Sequence, residues 1–206
     1  PLNPTGTCIS EGAMRDIAQA IVDENKRREQ DGEPTLMLIY DMVYWLLTYG
    51  ETVHHDPISL VPDVAKYCVY VDAISKSMAS TGLRVGWGIA APYLQGAFKA
   101  LIGHTGAWAP KPEQLATAKF LNNDAQVDAW LDEFRGGLQE RLDLIKRRFD
   151  EMAESGLPVE AIAPQGAIYL SIQIDLVGRS LPDGSVVTSS EDIRSFLLHK
   201  AQVAVV

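Results

Sequence analysis

Apolar positions along this chain change period several times, and each change marks an element. After Ser10, residues Met14, Ile17, Ala18, Ile21 and Val22 recur at helical spacing. Ser10 is placed to cap that helix, a charged tail over 24–33 forms its solvated end, and Gly32 and Pro34 stop it. Residues 35–40 are a continuous apolar run of strand length, the pattern of a parallel strand covered on both faces. Residues 57–66 read as a loop with a short helix around Pro62, and the apolar run 68–73 predicts a buried strand. That strand ends in a loop of small residues that presents Lys76, and a third apolar run, 85–90, follows Gly82 and Arg84. Strand, short helix, strand is how parallel sheets are wired.

The second half is helical before it turns mixed. Pro92 opens a helix ending near Gly103, and another begins around Pro112. Over 123–155, Val127, Trp130, Leu131, Phe134, Leu138, Leu142, Ile145, Phe149 and Met152 are spaced three or four apart. The spacing predicts one amphipathic helix of about 45 Å with Gly156 as its stop. A coiled-coil seam would fit the length. Gly136-Gly137 and an apolar face wider than two positions per heptad favour a helix that bridges two domains. Beyond Pro158, residues 167–174 alternate as a half-buried strand, 175–190 form a polar loop with a turn at Pro182-Asp183-Gly184, 191–200 form a short helix, and 201–206 read as an apolar strand. The pattern is that of a small α+β unit, with no internal repeat and no low-complexity segment.

Composition narrows the function classes. With 206 residues, 47% hydrophobic and 22% charged, the chain can build one large or two small cores. The formal charge of −9 argues against nucleic acid and against anionic membrane surfaces, so any phosphate must be held by local groups. Cys8 and Cys68 are far apart in sequence and read as free thiols in a reducing compartment. No apolar run approaches the roughly 20 residues of a membrane span, and a cytoplasmic protein is the default expectation. The chain begins at Pro1 inside an apparent motif and stops on an apolar run, which suggests a fragment of a longer protein.

Candidate chemistry gathers at the strand ends. Asp41 follows the first strand directly, where α/β sheets place their ligand crevice, and Tyr44 lies one helical turn on. The alternative is a capping aspartate followed by a core pair, Tyr44 and Trp45. Lys76 and Arg84 flank one tight loop, and an amine beside a fixed cation becomes a better nucleophile toward carbonyls. The hydroxyls of Ser75, Ser77, Ser80 and Thr81, with Arg84, suit a dianionic phosphate. Asn3-Pro-Thr-Gly6 is a turn that aims a side-chain amide outward, or simply a turn before a helix. His54, His55 and Asp56 look like metal ligands, but adjacent histidines diverge and no second cluster supplies more, so a polar loop is expected.

Ser75-Lys76 with Thr81-Gly-Leu-Arg84-Val-Gly86 resembles the cofactor-lysine segment of the class I and II aminotransferases, fold-type I enzymes dependent on pyridoxal 5'-phosphate. Asn3-Pro-Thr-Gly6, Tyr40-Asp-Met-Val-Tyr44 and Pro164-Gln-Gly-Ala-Ile-Tyr169 resemble further segments of that family in the same order. The resemblance implies an α/β fold: part of the large, mostly parallel transferase-like domain (1–122), a long inter-domain helix (123–156) and a partial small α+β domain (157–206). It implies an aminotransferase acting on amino acids and 2-oxo acids, homodimeric at full length, with catalytic residues Lys76, Asp41 and Tyr44. Lys76 would form a Schiff base with the cofactor and then move the substrate proton, and Asp41 would pair with the pyridine nitrogen. Tyr44 and Asn3 would bond the ring's 3' oxygen, while Ser75 and Arg84 would anchor the phosphate. The family's glycine-rich phosphate loop, stacking aromatic and substrate-carboxylate arginine are expected outside this window. A lyase of the same fold would share every motif, because the cofactor makes the common carbanion and its surroundings choose the outcome. A non-catalytic dimerising scaffold is the third reading.

Overall fold

The computed structural model describes residues 1–182 and 184–205. Helix α1, Glu11–Asp31, starts where expected: the Ser10 hydroxyl accepts from the Ala13 N–H, and Gly32, at φ 67°, closes the helix in the left-handed conformation. Its buried face is Met14, Ala18 and Val22, of which Ala18 and Val22 meet Val64 and Tyr67 of a 3-10 turn, Pro62–Tyr67, with Ile58 of the short helix α2, Pro57–Leu60, packed alongside.

A three-stranded sheet follows, in the order β1-β2-β3: β1 is Leu38–Asp41, β2 is Cys68–Ala73 and β3 is Gly86–Ala90. β1 and β2 are parallel, as the strand, helix, strand alternation predicts, with Leu38 opposite Cys68 and Asp41 opposite Val71. β3 returns antiparallel, and Gly86 pairs with Ala73. β1 is shorter than the apolar run 35–40. Buried Asn25 explains this: its amide donates to the Leu36 carbonyl at 2.9 Å and accepts from the Leu36 N–H at 2.8 Å, so Leu36 bonds to a helix and not to a strand. The expected coverage of β1 on both faces is also not met, since Ile39 is 71% exposed. Its neighbours Leu38 and Tyr40 point to the opposite face, where the Tyr40 hydroxyl donates to the His55 carbonyl.

Lys76 lies in α3, Ile74–Ser77, a single helical turn directly after β2, where a loop was expected. α4, Pro92–Thr105, passes through Gly103 and stops at Gly106, whose φ of 66° supplies the left-handed cap. α5 is Lys111–Leu121. The long helix is present as α6, Asp124–Glu154, capped by the Asn123 side chain. Its apolar face is only partly covered: Leu131 and Leu142 are buried, whereas Ile145 and Met152 are exposed.

The mixed C-terminal part departs furthest from the sequence pattern. The strand expected over 167–174 is reduced to β5, Ile172–Ile174, antiparallel to a strand not anticipated, β4, Val159–Ala161. Ala167 takes φ 60° and gives its N–H to the Leu47 carbonyl, within an isolated antiparallel bridge between Thr48 and Gly166, so 165–167 pair there and not with β4. α7, Ser190–Phe196, carries a capping box between Ser189 and Asp192. Residues 197–201 continue it as a π-helical turn, and left-handed Gln202 ends it, so 202–205 do not form the expected strand. Of the turn at 182–184, Asp183 lies outside the described residues.

Candidate active site

Topology brings three of the candidate side chains to one end of the sheet. Asp41 ends β1; Lys76 sits one helical turn beyond the end of β2; Arg84 precedes β3, whose first residue pairs with the last of β2. The crevice end of a parallel pair thus receives a carboxylate, an amine and a guanidinium from separate segments.

Each is held differently. Asp41 accepts from the Val43 N–H at 3.1 Å, and that bond turns the chain so that Tyr44 enters the core, 6% exposed. Lys76 lies with Nζ 5.8 Å from the centroid of the Tyr44 ring, a cation–π approach. Arg84, in the left-handed region at φ 56°, donates to the Thr81 carbonyl at 3.0 Å. Among the described residues, neither Lys76 nor Arg84 is ion-paired with a carboxylate. Of the expected phosphate hydroxyls, Ser80 is turned to the Met78 carbonyl and Ser77 is buried, whereas Ser75 is half-buried.

The Lys76 turn is buttressed from behind. Trp130 of α6 donates its indole N–H to the Ser77 carbonyl at 2.9 Å, and Trp130 stacks on Phe134. Phe134 and Leu138 of the same helix pack against Tyr44, Leu47 and Ala167. Trp45 donates to buried Asp72 at 3.1 Å, tying the Asp41–Tyr44 turn to the end of β2. Burial, with the Asp41 carboxylate nearby, pushes the Asp72 pKa up, and the Ala73 N–H and Trp45 bonds oppose that.

Asn3 is exposed on the N-terminal segment, joined to Pro4 by a cis peptide. Its neighbours Pro1 and Leu2 line a cavity of about 40 Å³ with Asp41, Trp45 and His54. A space of that size holds a water molecule, not a ring and phosphate, so it is a gap beside Asp41. His54 and His55 lie in a loop, as expected, and among the described residues no cluster has the makings of a metal site. Burial drives the His54 pKa down to about 4, against the pull of Asp56. Asp56 instead caps α2 and accepts from Tyr70.

The sequence reading missed Tyr169, Trp130, Asp72 and the donor role of Trp45. Tyr169 meets Tyr44 hydroxyl to hydroxyl at 2.6 Å, across 125 residues. The family-like segment 164–169 was a visible pointer to it. Nothing local marks Trp130 or Asp72, whose partners are 53 and 27 residues away.

The chain is similar over its whole length to known proteins. A probable aspartate/prephenate aminotransferase from Rhizobium leguminosarum bv. phaseoli is 26% identical over all of this chain and 48% of its own length. The chain spans about half the length of the curated relatives it matches. The crystal structure of an aspartate aminotransferase from Rhizobium meliloti superposes with a TM-score of 0.82 at 23% identity, covering 100% of this chain and 48% of that one. An aromatic aminotransferase from Pyrococcus horikoshii OT3 gives 0.80 at 25% identity, with the same coverage. The family model for aminotransferase class I and II matches residues 1–206. With that match over its whole length, and with the α/β fold of those enzymes, the chain belongs to the class I and II aminotransferases.

Proposed function

We propose that the protein of which this chain forms part is a pyridoxal 5'-phosphate-dependent aminotransferase that moves an amino group between an amino acid and a 2-oxo acid. The observation that carries the reading is the lysine with no carboxylate partner among the described residues, at the sheet end that also bears Asp41 and Arg84. These donors suit the cofactor: an amine for an aldehyde, a carboxylate for a pyridinium, a guanidinium with the Ser75 hydroxyl for a phosphate. When bound, the cofactor supplies a reactive aldehyde and an electron-withdrawing ring.

The chain's own groups then have distinct tasks. Lys76 is the nucleophile that holds the cofactor, and afterwards the base and acid that moves a proton at the substrate α-carbon. Its amine packs over the Tyr44 ring and forms no ion pair with a carboxylate among the described residues. Asp41, fixed by the Val43 N–H, keeps the ring nitrogen protonated. Tyr44 and Asn3 would hold the ring through its 3' oxygen.

We assign 1–122 to a cofactor-binding domain, 123–156 to an inter-domain helix and 157–206 to a smaller domain, and take the full-length protein to be a cytoplasmic homodimer. The deciding assay mixes full-length protein, cofactor, a panel of amino acids and 2-oxoglutarate. Stoichiometric appearance of glutamate and a new 2-oxo acid, lost in Lys76→Ala, is expected. Ammonia release with no amino transfer would point to the lyase chemistry.

A further inference from the structure

The segment 164–169 is built into the site, although none of the tasks above uses it. The Gly6 carbonyl accepts from the N–H groups of Gln165 and Gly166 at 2.9 and 3.0 Å. The Tyr49 N–H donates to the Gln165 carbonyl at 3.0 Å, the Ala167 N–H donates to Leu47 at 2.8 Å, and the Tyr49 hydroxyl donates to the Ala167 carbonyl. Gly6 runs so close that a Cβ there would lie 2.4 Å from the Tyr169 carbonyl oxygen. These bonds grip the segment from both the Asn3 turn and the stretch just after Tyr44. The Tyr169 ring is thereby set edge-on to Tyr44, with centroids 5.6 Å apart and hydroxyls 2.6 Å apart.

Two phenols that share one hydrogen bond cannot both donate into it, and each hydroxyl has a single hydrogen. If Tyr44 donated to Tyr169, it could offer the site lone pairs alone and could not support an anionic oxygen there. We propose that Tyr169 is a positioning residue that donates to the Tyr44 oxygen, leaving the Tyr44 hydrogen directed at the anionic phenolic oxygen of the ring bound beside Lys76. This rests on the function proposed above. A hydroxyl that accepts a hydrogen bond becomes a stronger donor, so Tyr169 strengthens Tyr44 without touching the ligand. The bond to Tyr44, followed by burial, raises the Tyr169 pKa, while Lys76 works in the opposite direction, in keeping with a phenol that retains its proton.

The test uses full-length protein loaded with pyridoxal phosphate and reads the visible absorbance band against pH, together with the cofactor dissociation constant. Tyr169→Phe keeps the ring and removes one hydroxyl. The band's pH midpoint should move up, because a less well supported oxyanion favours the protonated form, and cofactor binding should weaken about 2- to 10-fold. In a Tyr44→Phe background the same change should add nothing further to either quantity. An unchanged midpoint and affinity in Tyr169→Phe, or the same shift with Tyr44 already removed, would overturn the proposal. A wild-type protein with no cofactor band would overturn the function itself, and this inference with it.

Discussion

Lys76 sits where a strand gives way to a helical turn, and its proposed role as a nucleophile depends on its having no carboxylate partner among the described residues. His54, which lines the same small cavity as Asp41, shows the opposite use of burial: it is kept neutral. Its folded pKa, about 4, lies below the ordinary 6.5, so between these values the unfolded chain takes up a proton that the folded chain resists. Stability therefore falls as pH drops from 6.5 toward 4, and His54→Gln should flatten that slope in urea titrations at stepped pH. Asp72, with a raised pKa, contributes in the opposite sense, which is why the variant and not the bare pH profile isolates His54. Trp45→Phe removes a donor from the buried Asp72 carboxylate and should cost about 1–3 kcal/mol, read from the urea midpoint. Asp41, Tyr44, Lys76 and Arg84 could be named from sequence because each stands at a fixed offset from an apolar run. Asp72 could not, since an aspartate within a strand run acquires meaning only from the indole opposite it.

Elements were legible in proportion to how local their causes are. α1 and α6 announce themselves by period and cap, and both lie within a residue or two of their expected bounds. β1 lost its first residues to a side chain eleven positions upstream, and 165–167, where the other expected strand begins, are bonded to Gly6 and Leu47 and not to β4. Those partners are invisible to any windowed pattern. The same contacts make Gly6 sensitive: with φ at 69° and the Tyr169 backbone against it, Gly6→Ala should destabilise by more than about 1 kcal/mol, checked by thermal or urea unfolding. Trp130→Phe deletes the bond from α6 to the Lys76 turn, and should weaken cofactor binding by about 2- to 10-fold while α6 itself, read by circular dichroism, remains formed.

At the scale of the whole molecule, the described residues divide their apolar surface unevenly. One core lies between α1 and the turn before β2, and another joins Tyr44, Ala167 and the face of α6, whereas Ile39, Ile89, Tyr93, Leu101 and Trp108 remain exposed. Exposed apolar residues on this scale mark surfaces that associate. The proposed homodimer has its own test: the full-length protein should measure as a dimer by light scattering, and a monomer at micromolar concentration would contradict that assignment. On the proposed function, one lysine among those of the chain carries the chemistry. Borohydride reduction of the cofactor-loaded full-length protein, followed by peptide mass spectrometry, tests this directly: a pyridoxyl phosphate adduct on Lys76 is expected, and an adduct confined to other lysines, or none, would overturn it.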